Sequence, residues 1–174
     1  MNEALSYPVG RFDRFAPFTP DMRAGAIDEF AALPAHIRTA VAGLTEAHLD
    51  TPYRPDGWTV RQLVHHVADS HMNGLIRLKL ALTEESPTIK PYDQEAWAGL
   101  ADSALPTEIS LSLLDAVHHR WVAVWKSMLP EQFARTFLHP ELGPLSVDTH
   151  LHLYAWHGRH HVAHITRLRA RHGW

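Results

Sequence analysis

Four histidines occur within eight residues near the C-terminal end of the chain, at His157, His160, His161 and His164. Imidazole is the commonest metal-binding side chain and changes its charge near neutral pH. Helical residues four apart lie on one face, so His157 projects with His161 and His160 projects with His164. Such a pair supplies two ligands of a tetrahedral metal site, which normally takes a third from elsewhere. The segment therefore indicates a metal site that another part of the chain must complete.

Two adjacent histidines, His65 and His66, are candidates for that third ligand. Adjacent helical residues point about 100° apart, and periodicity alone does not choose between them. It also does not choose between the two spaced pairs. A single histidine on an apolar helix face is more often a hydrogen-bonded core residue than a ligand. A pair at i and i+4 with a third histidine in another core helix favours metal binding, provided that the two clusters meet.

The composition is that of an ordinary globular protein. The chain has 174 residues, of which 45% are hydrophobic and 20% charged, and we expect a single domain over 1–174. The net charge of −3 gives no basic footprint of the kind that binds nucleic acid. The absence of cysteine excludes disulfides, thiolate nucleophiles and cysteine-bound zinc.

The sequence also gives no sign of membrane insertion or export. No apolar run approaches the roughly 18 residues that a membrane span requires. The first seven residues lack both the basic region and the apolar core of a signal peptide. We therefore expect a cytoplasmic protein that does not bind membranes.

Four long amphipathic segments must position the histidines. They run over about 21–44, 59–85, 110–128 and 147–172. With no convincing alternating strands and no internal repeat, they predict an all-α four-helix bundle with long connecting loops. Residues 1–18 are interpreted as an extended N-terminal arm. Bundles build metal sites from side chains on facing helices, so the second and fourth helices would have to bring the two histidine clusters together.

Several helix ends carry recognisable signals. Thr19 followed by Pro20 is typical of a helix start. Thr59 and Gln62 match a capping box, in which a hydroxyl and an amide three residues apart satisfy free backbone N–H groups. Gly173 lies where a C-terminal stop belongs.

Longer motifs are spread over essentially the whole chain. They are 5–10 (LSYPVG), 50–54 (DTPYR), 57–73 (GWTVRQLVHHVADSHMN), 82–85 (LTEE), 90–93 (KPYD), 156–165 (WHGRHHVAHI) and 173–174 (GW). With these motifs the chain resembles the DinB-like superfamily of metal-binding four-helix bundles. Within it, the chain is similar to the YfiT family, which is assigned to metal-dependent hydrolases and is related to bacillithiol transferases.

The resemblance implies one particular ligand set. In that family the triad is the second histidine of the doublet and the spaced pair that follows the tryptophan, here His66, His157 and His161. The third helix supplies no ligand there, so the doublet His118-His119 is interpreted as structural or surface. The family also implies a homodimer.

Three neutral imidazoles leave at least one position open on a divalent metal, which is the pattern of a catalytic site. Zinc is the expected ion, one per subunit, and nickel or another first-row metal also suits such a site. Activation of water predicts hydrolysis of a small-molecule substrate. The alternative is a bacillithiol-type S-transferase, in which the metal activates a low-molecular-weight thiol from outside. A second alternative is a metal- or ligand-binding bundle without turnover, which the lack of a clear general base weakly favours.

No catalytic acid or base is assigned from the sequence. Asp69 lies four residues after His65, and a hydrogen bond between them is the expected role. Arg61 and Arg77 are interpreted as solvated or paired rather than as substrate ligands. Trp97, in the long loop, is the tryptophan expected to form a pocket wall.

Overall fold

Four long helices dominate the computed structural model, which describes residues 3–174. In chain order the helices are α1 (Glu3–Ser6), α2 (Pro20–Val41), α3 (Glu46–Leu49), α4 (Val60–Thr83), α5 (Gln94–Ala98), α6 (Thr107–Ser127) and α7 (Val147–His172). Two short 3₁₀ turns cover Ala101–Ala104 and Pro130–Ala134, and two strands, β1 (Thr136–His139) and β2 (Gly143–Ser146), precede α7. None of the described helices combines the length and apolarity needed to cross a membrane.

The four long helices pack as a bundle, as the sequence predicted. Helix α2 packs against α6 and α7, and α4 packs against the same two helices. Helix α4 therefore shares one long interface with α7. That interface is where histidines of the second and fourth long helices can meet.

The helix ends form as their sequence signals indicate. Thr19 accepts a hydrogen bond from the backbone N–H of Met22. Thr59 accepts from the backbone N–H of Gln62, whose side chain accepts from the N–H of Thr59 at 3.0 Å. Gly173 adopts a φ of 71°, a left-handed conformation in which glycine carries no steric penalty. These local interactions fix where α2 and α4 begin and where α7 ends.

The apolar core consists of two clusters of buried residues. One contains Phe30, Trp121 and Tyr154, and the other contains Leu63 and Ile165. His71 on α4 and His157 and His161 on α7 fall between the segments that contribute to the two clusters, and His66 lies beside Val67 of the second. The imidazoles therefore occupy the middle of the bundle, with aromatic packing on one side and aliphatic packing on the other.

The segment before α7 differs from the prediction of a chain without strands. Residues Thr136 to His139 pair antiparallel with Gly143 to Ser146 in a hairpin. Gly143 at the turn has a φ of 79°, which favours glycine. Each strand has four residues, too few for alternation to be recognised in the sequence.

The other connections are also more ordered than expected. The long loop over 86–109, in which the sequence indicates a short helical turn around 95–100, contains α5 near that position and also the first 3₁₀ turn. The N-terminal arm includes α1 in addition to extended chain, and the first two residues of the predicted arm lie outside the described part. The side chain of Phe12 packs against Phe18 and Trp156, whereas Phe15 is 81% exposed.

Candidate metal centre

Three histidines from α4 and α7 converge at the helix interface. His66, His157 and His161 each place a ring nitrogen within 4.8 Å of the other two. The Nε2 atoms of His157 and His161 are 3.1 Å apart. The structure thus brings together the three residues that the family resemblance selected.

Local geometry explains this convergence. His157 and His161 are one helical turn apart on α7 and project to the same side. Gly158, between them, lets α7 approach α2 closely, because a Cβ there would lie 2.6 Å from Leu33 Cδ2. The indole of Trp58 packs 4.5 Å from the ring of His66, and its Nε1 donates to Glu95 at 2.9 Å. Both sides of the triad are therefore fixed by packing.

Burial keeps the triad in the neutral form that binds metals. His66 and His161 are each 6% exposed. Burial, with a smaller contribution from the charge of His160, lowers the pKa of His66 to about 4. Burial and then the neighbouring imidazoles hold the pKa of His157 and His161 well below the usual histidine value. Neutral nitrogens are therefore available as ligands near neutral pH.

A row of buried hydrogen bonds extends from one member of the triad. His157 Nδ1 lies 3.2 Å from His71 Nε2, and His71 Nδ1 lies 2.8 Å from His118 Nε2. His118 Nδ1 lies 2.9 Å from the carbonyl oxygen of Phe30. By contrast, His161 Nδ1 is buried and has no hydrogen-bond partner among residues 3–174. The two α7 histidines therefore have different surroundings on the side away from the triad.

A cavity of about 610 Å³ opens onto the triad. Trp58, Tyr53 and Arg54 line it together with the second spaced pair, His160 and His164. The Nε2 atoms of that pair are 3.0 Å apart. The cavity is large enough for a small molecule to reach the triad.

Three carboxylates, Glu3, Asp56 and Glu95, line this cavity, and two of them have side-chain partners. Glu95 accepts from Trp58, and Glu3 pairs with Arg11 at 3.1 Å. No general base can be assigned from such occupied groups. The site therefore contains candidate metal ligands and a substrate-sized cavity, but no residue that can be assigned as a catalytic acid or base.

One of the sequence-based interpretations is wrong. His65 does not pair with Asp69, because its two ring nitrogens lie 2.7 Å from Ser110 Oγ and 2.9 Å from the carbonyl oxygen of Leu105. Burial, with a smaller effect of the nearby Asp102 carboxylate, raises the pKa of Asp69 to about 6. The doublet on α6 agrees with its interpretation as structural or surface, because His118 is 2% exposed and belongs to the buried row of hydrogen bonds, whereas His119 lies at the surface.

The predictions for Trp97 and Arg61 have different outcomes. Trp58, rather than Trp97, forms the cavity wall beside the triad, and Trp97 packs against Tyr92 with ring centroids 4.4 Å apart. Arg61 donates to Asp50 at 2.7 Å and to Glu46 at 2.6 Å, which agrees with its interpretation as a paired residue. The sequence analysis assigned no role to His71, which is 0% exposed. Its signal was a polar residue among apolar positions of α4.

The donor set fits a divalent transition metal. Two ligands on a tetrahedral zinc ion, with bonds of about 2.0–2.1 Å, are separated by about 3.3 Å. The observed 3.1 Å between the Nε2 atoms of His157 and His161 is close to this value. Without a metal, two imidazole nitrogens at this distance can share only one proton, so an ion between them and His66 is compatible with their lone pairs.

Known proteins match the chain over its full length. A family model described as the DinB superfamily matches residues 29–165. A protein of Bacillus cereus strain B4264 is 53% identical over 174 residues, with all of both chains covered. A protein of Bacillus thuringiensis subsp. konkukian strain 97-27 is 52% identical, again over all of both chains. Both carry the provisional name of metal-dependent hydrolase.

Solved structures give the same result for the fold. YfiT from Bacillus subtilis, described as a probable metal-dependent hydrolase with an unusual four-helix bundle topology, superposes with a TM-score of 0.95 at 46% identity. The match covers 98% of this chain and 99% of that one. Another four-helix bundle protein matches with a TM-score of 0.56 at 21% identity, over 87% of this chain and 99% of its own. That second likeness supports the fold alone.

Proposed function

The chain belongs to the DinB superfamily, and we propose that it is a metal-dependent hydrolase whose single divalent ion, zinc in the first instance, is held by His66, His157 and His161. The observation that carries the proposal is the convergence of three ring nitrogens within 4.8 Å beside an open cavity. The provisional names of the relatives point in the same direction.

The protein's own residues hold, orient and shield the site. A divalent ion held by these three residues would have fewer protein ligands than a closed structural site and would keep a position for water or substrate. When bound, zinc supplies Lewis-acid chemistry and lowers the pKa of a water ligand into the neutral range. Trp58 fixes one wall beside His66 and limits the directions from which a substrate can approach.

A thiol S-transferase is the second candidate. It is favoured by the partners of Glu95 and Glu3, which engage two of the three carboxylates that line the cavity. A thiol substrate carries its own ionisable group and would become nucleophilic on the metal without a protein base. Because the chain contains no cysteine, such a thiol has to come from solution.

The experiment that tests the proposal starts with untagged protein. Elemental analysis should find about one divalent metal per chain, and zinc titration into the metal-free protein should saturate at one equivalent. Ester and amide substrates are then assayed with and without a low-molecular-weight thiol. Turnover without thiol supports hydrolysis, whereas turnover only with thiol supports the transferase. Absence of metal binding would contradict both.

The oligomeric state is a separate proposal. On the family resemblance alone, we propose that the protein forms a homodimer with one ion in each subunit. Sedimentation equilibrium gives the mass directly and should return twice the 19.7 kDa of the chain. A monomer mass would contradict the dimer and leave the metal site unaffected.

A further inference from the structure

Two buried histidines outside the triad have no role in the proposed function. His71 is 0% exposed and His118 is 2% exposed. They connect the carbonyl oxygen of Phe30 to Nδ1 of His157 through three hydrogen bonds of 2.9, 2.8 and 3.2 Å. We propose that His71 and His118 are positioning residues, which fix the tautomer and the ring orientation of His157 so that its Nε2 lone pair faces the metal.

The direction of the row follows from its fixed end. A backbone carbonyl only accepts hydrogen bonds, so His118 donates from Nδ1 to Phe30 and keeps an unprotonated Nε2. His71 then donates from Nδ1 to that nitrogen and accepts at its own Nε2. The proton between His71 and His157 must therefore belong to Nδ1 of His157. The lone pair of His157 is left on Nε2, the atom that faces the triad.

This assignment requires each imidazole to be neutral. His71 is 0% exposed and both of its ring nitrogens pair with other imidazoles rather than with a carboxylate, so burial favours its neutral form, and His118 is 2% exposed in the same row. Ring packing then holds the orientations. Phe30 stacks on His118 with centroids 4.0 Å apart, and Tyr154 meets His71 edge-on at 4.9 Å. A ring flip at either histidine would break two hydrogen bonds inside the core.

The consequence for metal binding is a ligand prepared before the ion arrives. Metal-bound histidines usually donate their second N–H to a carboxylate, a carbonyl or water. Here the acceptor is His71. The tautomer of His71 is set in turn by His118, which donates to the backbone carbonyl of Phe30. Without His71, the proton of His157 could move to Nε2, and the lone pair would then point away from His66 and His161.

A first experiment needs neither metal nor mutation. Long-range ¹H–¹⁵N correlation spectra of the metal-free protein, labelled at histidine nitrogen, report the tautomer of each ring. We expect His71, His118 and His157 all to carry the proton on Nδ1. An Nε2-protonated His71 or His118 would overturn the proposal. This measurement stays informative even if the proposed function is wrong.

A second experiment measures zinc affinity by chelator competition, and so it depends on the metal site of the proposed function. We expect His71→Leu to weaken zinc binding roughly 10–100-fold, the usual effect of losing the group behind a metal-bound histidine. His118→Leu should weaken it less, because His71 remains as an acceptor. His118→Gln should restore most of the affinity, since its amide can donate to Phe30 and accept from His71.

The controls separate positioning from general damage to the core. His119→Leu changes the surface neighbour of His118 and should leave the affinity unchanged. In His71→Leu, the Nδ1–H resonance of His157 should also lose its hydrogen-bonded shift, an effect that mere core loosening would not place at this one ring. Wild-type affinity in His71→Leu would overturn the proposal. Failure of the unsubstituted protein to bind zinc would instead contradict the proposed function.

Discussion

Helix α7 carries two histidine pairs with the same spacing and nearly the same geometry. The Nε2 atoms are 3.1 Å apart in His157 and His161 and 3.0 Å apart in His160 and His164. The first pair meets His66 from α4, whereas the second meets an aromatic ring, Tyr53, centred 4.2 Å from His164. Spacing along one helix therefore supplies two ligands, and only the facing residue decides whether a third is present.

The charges near the two pairs differ as well. The pKa of His160 falls to about 4, first through burial and then through the positive charge of Arg54. Burial, His160 and Arg54 lower that of His164 to about 3. A fixed guanidinium near the second pair would repel a metal cation. The first pair is surrounded mainly by neutral imidazoles.

Removal of the facing ligand should have the largest effect. In His66→Ala we expect the metal content to fall from one equivalent to almost none after dialysis, with a loss of affinity beyond about 100-fold, because a ligand is lost rather than a group behind it. His65→Ala is the matched control, since His65 is equally buried and adjacent. It should keep the metal while losing about 1–3 kcal/mol of stability, because Ser110 and Leu105 lose a partner. Elemental analysis and urea unfolding measure the two effects. Equal metal loss in both variants would remove the distinction.

A histidine placed opposite the second pair should give that pair a third ligand as well. Tyr53→His would place an imidazole opposite His164 and His160, and we expect a second equivalent of zinc to bind. Its affinity should be lower than that of the first site because of the charge of Arg54. Isothermal titration would show the added step, and Tyr53→Phe serves as a control that keeps the ring. If Tyr53→His binds a single equivalent, a third imidazole is not what the second pair lacks.

The comparison has to be made at a pH where the bundle is intact. Burial lowers the folded-state pKa of His118 to about 4 and that of His150 to about 3, from 6.5. Between the folded-state pKa and 6.5, the unfolded chain binds more protons than the folded protein. The free energy of unfolding is therefore highest above pH 6.5 and decreases as the pH falls below that value. At pH 5 each group should cost about 2 kcal/mol, or about 4 kcal/mol together. Urea unfolding of metal-free protein at pH 7.5 and 5 measures this loss. Because the other buried histidines, among them His66 and His164, add to the loss in both proteins, His118→Gln should lose about 2 kcal/mol less than the unsubstituted protein, and a pH-independent stability would contradict this expectation.

The smallest effect is expected at the second pair itself. His160→Ala removes a ring that stacks on Trp156 with centroids 4.7 Å apart and contacts His161 at 5.1 Å, but it removes none of the three proposed ligands. Zinc stoichiometry should stay at one, and affinity should change by less than about 3-fold. Chelator competition provides the measurement. A loss as large as that of His66→Ala would place His160 among the ligands.

Features that depend on a few neighbouring residues were predictable. Thr19, Thr59 and Gly173 mark helix ends because each satisfies or frees backbone groups within one turn. The existence of two histidine pairs on α7 also follows from spacing alone. The choice of His66 over His65 did not follow, since both rings are buried and differ only in the helix that each faces.

What the sequence did not reveal depends on contacts between distant segments. His71 and His118 are 47 residues apart, and nothing in either neighbourhood announces their hydrogen bond. A weak signal for a buried role existed, because His118 lies on the apolar face of α6 between Leu114 and Trp121. The two strands before α7 were not predicted, because four-residue strands are shorter than the patterns that identify them.

The row of hydrogen bonds takes one residue from each long helix: Phe30 from α2, His118 from α6, His71 from α4 and His157 from α7. Local opening of any one helix would break it, so the four helices should exchange their amide protons as one cooperative unit near the centre. A bound ligand stabilises every state that retains its site. Zinc should therefore slow amide exchange in the middle of α2 and α6, two helices that contribute none of the proposed ligands.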